Sequence, residues 1–311
     1  MEADLKAYNR RRLLAAGGAI LVGGAIASPI AFRKMRALPS PYVLASNNKT
    51  QRLIQSNGIP AHSTGDFPNS NDPFAISAQT HAFTIPLDPV ANTSLTPIVH
   101  EGFWNFGVAL NGVPFDPAGP FWKGDPATGW QFEVMSTQAR PFLGLDQNNA
   151  HVQPGGGYHY HGIPHGLIRH LALLQPDMPA MLLLGYSADG FPVYAPLGHA
   201  IADDPHSPLI RLTSGYRIKP GFRQSGPKQM YDGFFVQDYE FIKGAGDLDA
   251  ANGRFGVTPQ FPQGTYYYAL TDMYPFIPRL FRGTPDRSFR HSRGPGLGEV
   301  PPPLRDFPKG A

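Results

Sequence analysis

Apolar residues in this chain occur mostly in short runs, and clusters of glycine, proline, asparagine and aspartate separate these runs. Such runs with turn signals between them predict β-strands joined by tight turns. Asn111-Gly112 and Asp189-Gly190 each lie between two apolar runs and are strong hairpin signals. The sequence therefore predicts a mainly β fold with antiparallel sheets in a sandwich-like arrangement, and its clearest strands are 82–86, 104–113, 181–186 and 191–194.

One segment has the pattern of a helix. It runs from Gly166 to Gln175 and contains five leucine or isoleucine residues, and Pro176 follows it directly. Proline interrupts the hydrogen-bond pattern of a helix, so we predict a short helix that ends before Pro176.

Composition along the chain predicts one principal domain with different segments on either side. Residues 37–79 are rich in proline, serine, asparagine and glycine, which predicts an extended lead-in. Residues 287–311 are rich in proline, glycine and arginine, which predicts a tail that is extended over the surface or disordered. The β-rich domain is predicted to span residues 80–286, which is long enough to bury a sizeable core.

The first 36 residues predict an export signal or an anchor. Arg10, Arg11 and Arg12 precede an apolar run from Leu13 to Ala27, which is short for a membrane span and ends in small residues. Adjacent arginines before two leucines fit a twin-arginine signal, and the alternatives are an ordinary secretory signal or an uncleaved anchor. We therefore expect a periplasmic or otherwise extracytoplasmic protein that interacts with the export machinery, either free or anchored to the membrane by this segment. The twin-arginine route carries folded proteins, so it favours a metal acquired before export.

Composition and charge exclude several classes of function. Cysteine is absent, which excludes disulfides, thiolate metal ligands and a cysteine nucleophile. The 26 basic and 23 acidic residues give a net charge of only +3, and no basic cluster lies in the body of the chain. Nucleic acid is therefore not an expected partner. The expected partner is a small-molecule or envelope substrate that the sequence does not identify.

A short pattern occurs twice in the chain, which predicts a weak internal duplication. The sequence Leu-Asp-x-x-Asn lies at 145–149 and again at 248–252, and each copy precedes a tyrosine-rich strand, at 158–160 and 266–268. Asp and Asn suit turns because their side chains bond to nearby backbone groups. The tyrosines recur but the histidines do not, because Tyr267 and Ala269 replace them in the second copy. The strand itself therefore does not require histidine.

Two histidines alternate with two tyrosines on the first of these strands. Alternate residues of a strand point to the same face, so His159 and His161 are predicted to lie side by side. Tyr158 and Tyr160 are then predicted to be packing residues on the opposite face. The alternative is a structural strand whose histidines bond to carbonyl groups.

Further histidines lie near this pair in the sequence, since five of the eleven histidines fall within residues 151–170. A turn at 162–164 would bring His165 back toward the pair, and His151 would approach from the preceding turn. His170 lies on the predicted helix and is expected to be structural. Imidazole ligands suit zinc or copper, and a site with an open position favours a catalytic or exchangeable metal. Glu133 is a further candidate ligand or general base, although no pattern places it near the histidines.

Several motifs together resemble the YHYH-domain family. They are Asn-Asn-Ala-His-Val-Gln-Pro at 148–154, Tyr-His-Tyr-His at 158–161, Asp-Gly-Phe-Pro-Val-Tyr at 189–194, Leu-Asp-x-x-Asn-Gly-Arg at 248–254, Thr-Tyr-Tyr-Tyr at 265–268 and Phe-Arg-Gly at 281–283. The resemblance covers about residues 80–286 and implies an exported, β-rich domain of bacterial type. It implies no particular reaction.

The histidine cluster and the export signal together give a functional hypothesis. We predict that His159 and His161, with His165 and His151, hold a transition metal at a shallow site. The metal would act as a Lewis acid or activate water in a metal-dependent hydrolase, whose catalytic residues the sequence does not identify. The alternative is a non-enzymatic envelope protein that binds a ligand or uses the strand only for packing. A redox role for copper beside tyrosine is a third hypothesis.

Overall fold

The computed structural model of the protein describes residues 38–100 and 102–291. The predicted export signal and the predicted tail beyond residue 291 lie outside these residues. Within them, no helix combines the length and the apolar character that a membrane span requires.

The described residues are mainly β, which confirms the predicted fold class. They form one α-helix, α1 (His165–Leu174), and five short 3-10 turns, at Trp122–Gly124, Pro126–Thr128, Arg140–Phe142, Val236–Asp238 and Arg287–Phe289. The strands are β1 (Val43–Asn47), β2 (Gln51–Ser56), β3 (His81–Pro86), β4 (Thr96–Pro97), β5 (Gly107–Ala109), β6 (Pro114–Phe115), β7 (Ala150–Val152), β8 (Tyr158–Tyr160), β9 (Leu183–Ser187), β10 (Pro192–Tyr194), β11 (Leu197–His199), β12 (Leu209–Arg211), β13 (Tyr216–Ile218), β14 (Tyr239–Phe241), β15 (Gly253–Thr258), β16 (Phe261–Ala269) and β17 (Leu280–Phe281).

An eight-stranded sheet forms the centre of the fold, in the order β15-β16-β10-β9-β5-β6-β8-β7. The predicted hairpin turns at Asn111-Gly112 and Asp189-Gly190 join β5 to β6 and β9 to β10. The sheet is mixed, since β6 pairs in parallel with β8 and β10 pairs in parallel with β16. The other neighbouring strands of this sheet pair antiparallel. The two parallel pairs join strands that are far apart in the sequence.

The order of this sheet shows that the internal duplication is structural. Each half contains a hairpin and a third strand that pairs in parallel with the second strand of that hairpin. A fourth, outer strand pairs antiparallel with the third strand. The first half is β5, β6, β8 and β7, and the second half is β9, β10, β16 and β15. The repeated Asp-x-x-Asn turns also match, because Asn149 and Asn252 both adopt positive φ values, of 55° and 56°. The two halves are thus two copies of one supersecondary unit.

The two copies meet where β5 pairs with β9. In this antiparallel pair Val108 lies opposite Tyr186, while Gly107 and Gly185 occupy equivalent places on either side. A Cβ atom on Gly107 would lie 2.4 Å from the Tyr186 carbonyl oxygen, and one on Gly185 would lie 2.2 Å from that of Val108. Only glycine allows the copies to approach this closely.

Residues 43–56 differ from the extended lead-in predicted for this segment. They form the hairpin β1–β2, which continues into a three-stranded sheet with β3. Along β2 every second residue is buried, including Ile54, which packs in the same core as Phe83. Ser56 fixes the hairpin to the central sheet by donating a hydrogen bond of 2.6 Å to the Gly112 carbonyl. The segment is therefore part of the domain.

The predicted helix is present, with its bounds shifted by one residue. It buries Gly166, Leu167 and Leu171, and it ends before Pro176 as expected.

Near the C-terminal end of the described residues, Phe289 of the last 3-10 turn is fully buried and stacks on Phe83 at 4.5 Å between ring centroids. The core therefore extends beyond the predicted start of the tail at residue 287.

A buried carboxylate joins the second copy to the segment that follows β17. Asp189 accepts hydrogen bonds from the hydroxyl of Ser187, from the hydroxyl of Tyr268 at 2.6 Å and from the backbone N–H of Gly283 at 2.7 Å. The side chain is 1% exposed, and burial raises the pKa of its carboxyl group above the ordinary value. The Asp189-Gly190 turn is thereby fixed to β16 and to the segment that follows β17.

We expect Asp189→Ala to lower the free energy of unfolding by about 2–4 kcal/mol, because it leaves the Tyr268 hydroxyl and the Gly283 N–H without their acceptor, while the Ser187 hydroxyl keeps the Phe191 carbonyl as a second acceptor. Chemical denaturation of the purified protein would measure this loss. Asp88→Ala is the matched control, since Asp88 is exposed, and its effect should be small. Equal effects of the two substitutions would show that the Asp189 network does not stabilise the fold.

Candidate metal centre

Three histidines converge at the edge of the first copy. His151 on β7 lies directly opposite His159 on β8, and His161 follows two residues later on the same face. The centroids of the three rings are 4.6–4.9 Å apart. One nitrogen from each ring lies within 4.8 Å of the others, so the three side chains form a group that can hold a metal ion.

Hydrogen bonds set the protonation of two of these rings. Nδ1 of His151 lies 2.9 Å from the Leu143 carbonyl oxygen, and Nδ1 of His159 lies 3.2 Å from the Gly157 carbonyl oxygen. A carbonyl only accepts hydrogen bonds, so the proton is on Nδ1 and the lone pair is on Nε2. This arrangement, in which a backbone carbonyl orients the ring, is usual for metal-binding histidine.

His161 is the most unusual member of the group. It is 2% exposed, and within the described residues neither of its ring nitrogens has a hydrogen-bond partner. A buried polar group without a partner destabilises a protein by about 1–3 kcal/mol, and such a group in a native structure needs an explanation. A metal ion would supply the missing partner.

The environment keeps the three rings neutral. Burial lowers the pKa of His151 and of His159 to about 4, and it lowers the pKa of His161 well below its ordinary value. Repulsion between the rings lowers the pKa of His159 and of His161 further. All three imidazoles are therefore unprotonated at neutral pH, which is the state that binds a metal.

Two carboxylates lie beside the histidines. Asp116 directly follows β6, and its backbone N–H donates to the Tyr160 carbonyl at 2.9 Å, which places it next to β8. Its carboxylate lies 3.4 Å from Nε2 of His291. Burial alone would raise the pKa of Asp116, but the nearby His291 and the backbone N–H of Ala118, which donates to this carboxylate at 2.9 Å, outweigh burial and hold this pKa below its ordinary value. Asp72 lies 3.8 Å from Nδ1 of His151 and accepts the backbone N–H of Val152.

The tyrosines of β8 lie on the opposite face of the strand from the histidines. Tyr158 donates a hydrogen bond of 2.7 Å to Asp146, and Tyr160 contacts His62 and Asn111. Both tyrosine side chains are at most 1% exposed. They link the strand to the Asp-x-x-Asn turn and to the β5–β6 hairpin.

The second copy provides an internal comparison for the histidines. Its equivalents of His151 and His159 are Arg254 and Tyr267, which also lie opposite each other on paired strands. Arg254 donates a hydrogen bond of 2.6 Å to the Tyr267 hydroxyl, so this pair satisfies its own polar groups. The third equivalent is Ala269. The same backbone thus forms without any metal-binding side chain, and the histidines of the first copy are not needed to build it.

The structure does not bring His165 to the group. The turn at 162–164 leads directly into α1, and His165 is the exposed first residue of that helix. The prediction that the turn brings His165 back to His159 and His161 is therefore wrong, because the helix directs the chain away from β8. His170 lies further along α1, outside the group. Glu133 is bound elsewhere, because it pairs with Arg279 at 2.6 Å.

The site is also less shallow than predicted. His159 and His161 are 3% and 2% exposed, while the side chain of His151 is 18% exposed. Sequence reasoning did not identify Asp116, Asp72 or His291 as neighbours. The parallel pairing of β6 with β8 brings Asp116 to the histidines, and no local pattern signals that pairing.

His161→Leu is expected to raise the free energy of unfolding of the metal-free protein by about 1 kcal/mol, because a side chain of similar size replaces an unsatisfied polar group. Tyr158→Phe is the contrasting variant and should destabilise the protein by about 1–2 kcal/mol, since its hydroxyl is hydrogen-bonded. Chemical denaturation in the presence of a chelator would compare them. A large loss of stability in His161→Leu would indicate a structural role for His161.

The fold and the site define a class of protein, namely a duplicated mixed β-sheet with a three-histidine group in one copy. A model of the YHYH protein family matches residues 82–283, which is well over half of the chain. The chain therefore belongs to the YHYH family, and Tyr158–His161 carry the motif that gives the family its name. No match was found among curated proteins or among solved structures.

Proposed function

We propose that this protein binds a transition-metal ion, zinc or copper, through His151, His159 and His161, and that the ion activates water in a hydrolytic reaction. The observation that carries this proposal is the convergence of three neutral imidazoles whose free lone pairs have no other described partner. The reaction class rests on the ligand set, since three protein ligands leave a fourth position open for water.

The geometry of the group fits such an ion with small movements. Nitrogen ligands lie about 2.0–2.1 Å from zinc, so the nitrogens of a tetrahedral site are roughly 3.3 Å apart. The ligand nitrogens here lie within 4.8 Å of one another. Small rotations of the imidazole rings can close this difference, and the carbonyls of Leu143 and Gly157 would continue to orient two of the rings.

The surroundings indicate how the site would act. Only His151 has an appreciable exposed fraction, so a substrate would approach from the side of this ring. A bound ion lowers the pKa of its water and polarises a substrate oxygen. Asp116 is the adjacent carboxylate that is held ionised, and it is our candidate for the group that receives the proton of the water.

The N-terminal sequence supports a location for this activity. Arg10, Arg11 and Arg12 before the apolar run fit a twin-arginine signal, so we place the protein in the periplasm or another extracytoplasmic space. The substrate would then be a small molecule or an envelope component, and the segment 1–36 would either be removed or anchor the protein in the membrane.

Hydrolysis of p-nitrophenyl acetate and bis(p-nitrophenyl) phosphate tests the proposal. The protein is purified without a histidine tag, stripped with a chelator and reloaded with zinc. We expect turnover in the reloaded protein, none after stripping, and none in His159→Ala/His161→Ala. His165→Ala is the matched control and should keep full activity. Turnover that survives stripping contradicts the proposal, and a metal-loaded protein without turnover removes the hydrolytic role and favours a binding role.

A further inference from the structure

The reverse face of β8 holds a second pairing of functional groups, between Tyr160 and His62. The phenol oxygen of Tyr160 lies 2.5 Å from Nε2 of His62, and the two rings stack at 5.9 Å between centroids. Tyr160 is fully buried, and its oxygen also accepts a hydrogen bond of 2.9 Å from Nδ2 of Asn111. His62 comes from the segment between β2 and β3, far from Tyr160 in the sequence.

The hydrogen bonds give this pair a direction. Nδ1 of His62 lies 3.0 Å from the Ser63 carbonyl oxygen, so Nδ1 carries a proton and Nε2 presents its lone pair. Asn111 already donates to the phenol oxygen, so the phenol proton is directed to His62. Burial lowers the pKa of His62, which keeps the ring neutral and able to accept that proton.

The second copy shows that this partner is specific to Tyr160. The other three tyrosines at equivalent places, Tyr158, Tyr266 and Tyr268, donate their hydroxyl protons to the carboxylates of Asp146, Asp249 and Asp189. Of these four tyrosines, Tyr160 alone donates to an imidazole. Its immediate neighbours in the chain are His159 and His161, two members of the metal-binding group.

We propose that Tyr160 is a redox-active residue that gives one electron to an oxidant at the three-histidine site while its proton moves to Nε2 of His62. This inference rests on the metal site proposed above, occupied by copper, and it does not use the hydrolytic role. A hydrogen-bonded base is what a phenol needs for oxidation, because the phenol must release a proton as it loses an electron. The oxidant belongs to the class of peroxides.

The step balances with hydrogen peroxide. Copper(I) and Tyr160 each give one electron to the peroxide, and its O–O bond breaks to form two hydroxide ions. Copper(I) becomes copper(II), the phenol O–H bond breaks, and the proton forms an N–H bond at Nε2 of His62. The products on the protein are a neutral tyrosyl radical and an imidazolium ion.

Electron paramagnetic resonance after rapid freezing tests this inference. The protein is loaded with copper(I) without oxygen and mixed with hydrogen peroxide. We expect a copper(II) signal with nitrogen couplings and a tyrosyl radical signal. Tyr160→Phe should lose the radical, while Tyr268→Phe, which changes the equivalent residue of the second copy, should keep it. His62→Gln should lower the radical yield about tenfold or more, and His165→Gln should not change it.

The outcomes separate the two proposals. A copper(II) signal with an unchanged radical in Tyr160→Phe, or with no radical in the wild type, overturns the role of Tyr160 and leaves the metal site standing. A wild type that binds zinc but no copper overturns this inference and leaves the proposed function standing, and a wild type that binds neither ion overturns both proposals. Circular dichroism and the copper content of each variant show whether it is folded and loaded with copper. If Tyr160→Phe fails either check, His62→Gln takes its place. An unchanged radical yield in His62→Gln would also overturn the inference.

Discussion

His159→Ala/His161→Ala is expected to abolish metal binding, whereas the wild-type chain should bind one zinc or copper ion. The two substitutions leave His151 as a single imidazole at the site, and one imidazole does not hold an ion firmly. Changes in groups that only orient a ligand cost about 10–100-fold in affinity, so the loss of two ligands should cost at least about a thousandfold. Elemental analysis and calorimetric titration of protein without a histidine tag would measure this loss.

His165→Ala/His170→Ala is the matched control for this experiment. It also removes two histidines from the cluster in the sequence, but both lie on α1 and outside the converging group. The control variant should bind one ion with the affinity of the wild type. Equal loss of metal in both variants, or equal retention in both, would contradict the assignment of the ligands.

The metal-free protein is expected to lose stability steeply as the pH falls from about 6.5 to about 4. The pKa of His151 and of His159 is lowered to about 4 in the folded state. Between these pH values the unfolded chain therefore binds protons that the folded state does not bind. The stability that the neutral rings contribute is fully present above pH 6.5 and is lost as the pH falls toward 4. At pH 5 the loss is about 2 kcal/mol for each ring, because one pKa unit corresponds to about 1.4 kcal/mol.

Chemical denaturation at pH 7 and pH 5 in the presence of a chelator would measure this effect. His151→Leu/His159→Leu should show a smaller loss, since it removes two of the three titrating rings of the group. Some loss should remain, because burial also lowers the pKa of His161 well below its ordinary value and that of His81 to about 4. Wild-type and variant curves with the same dependence on pH would show that these rings do not govern the acid sensitivity.

The parts of this fold that local sequence specifies were predictable. Asn-Gly and Asp-Gly dipeptides determine their own turn geometry, so the two hairpins of the central sheet could be placed. Strand parity separated His159 and His161 from Tyr158 and Tyr160, because alternate residues of a strand point to opposite faces. His151 was expected near the pair because the Asp-x-x-Asn turn precedes it.

The parts that depend on distant segments were not predictable. The parallel pairing of β6 with β8 places Asp116 beside the histidines. His62 contacts Tyr160, although the two residues are 98 positions apart in the sequence. Neither contact leaves a periodic signal in the sequence. The predicted position of His165 was wrong because the turn before this residue leads into a helix. The order of the central sheet also shows a more complete duplication than the two short motifs indicated.

The central claim is that one ion binds to His151, His159 and His161, and anomalous X-ray diffraction at the zinc or copper edge tests it most directly. A crystal of the metal-loaded protein should show one strong anomalous peak at about 2.0–2.1 Å from Nε2 of His151, Nε2 of His159 and one ring nitrogen of His161. The absence of a peak between these rings in a protein soaked with the metal, or a peak bound by other residues instead, would contradict the account.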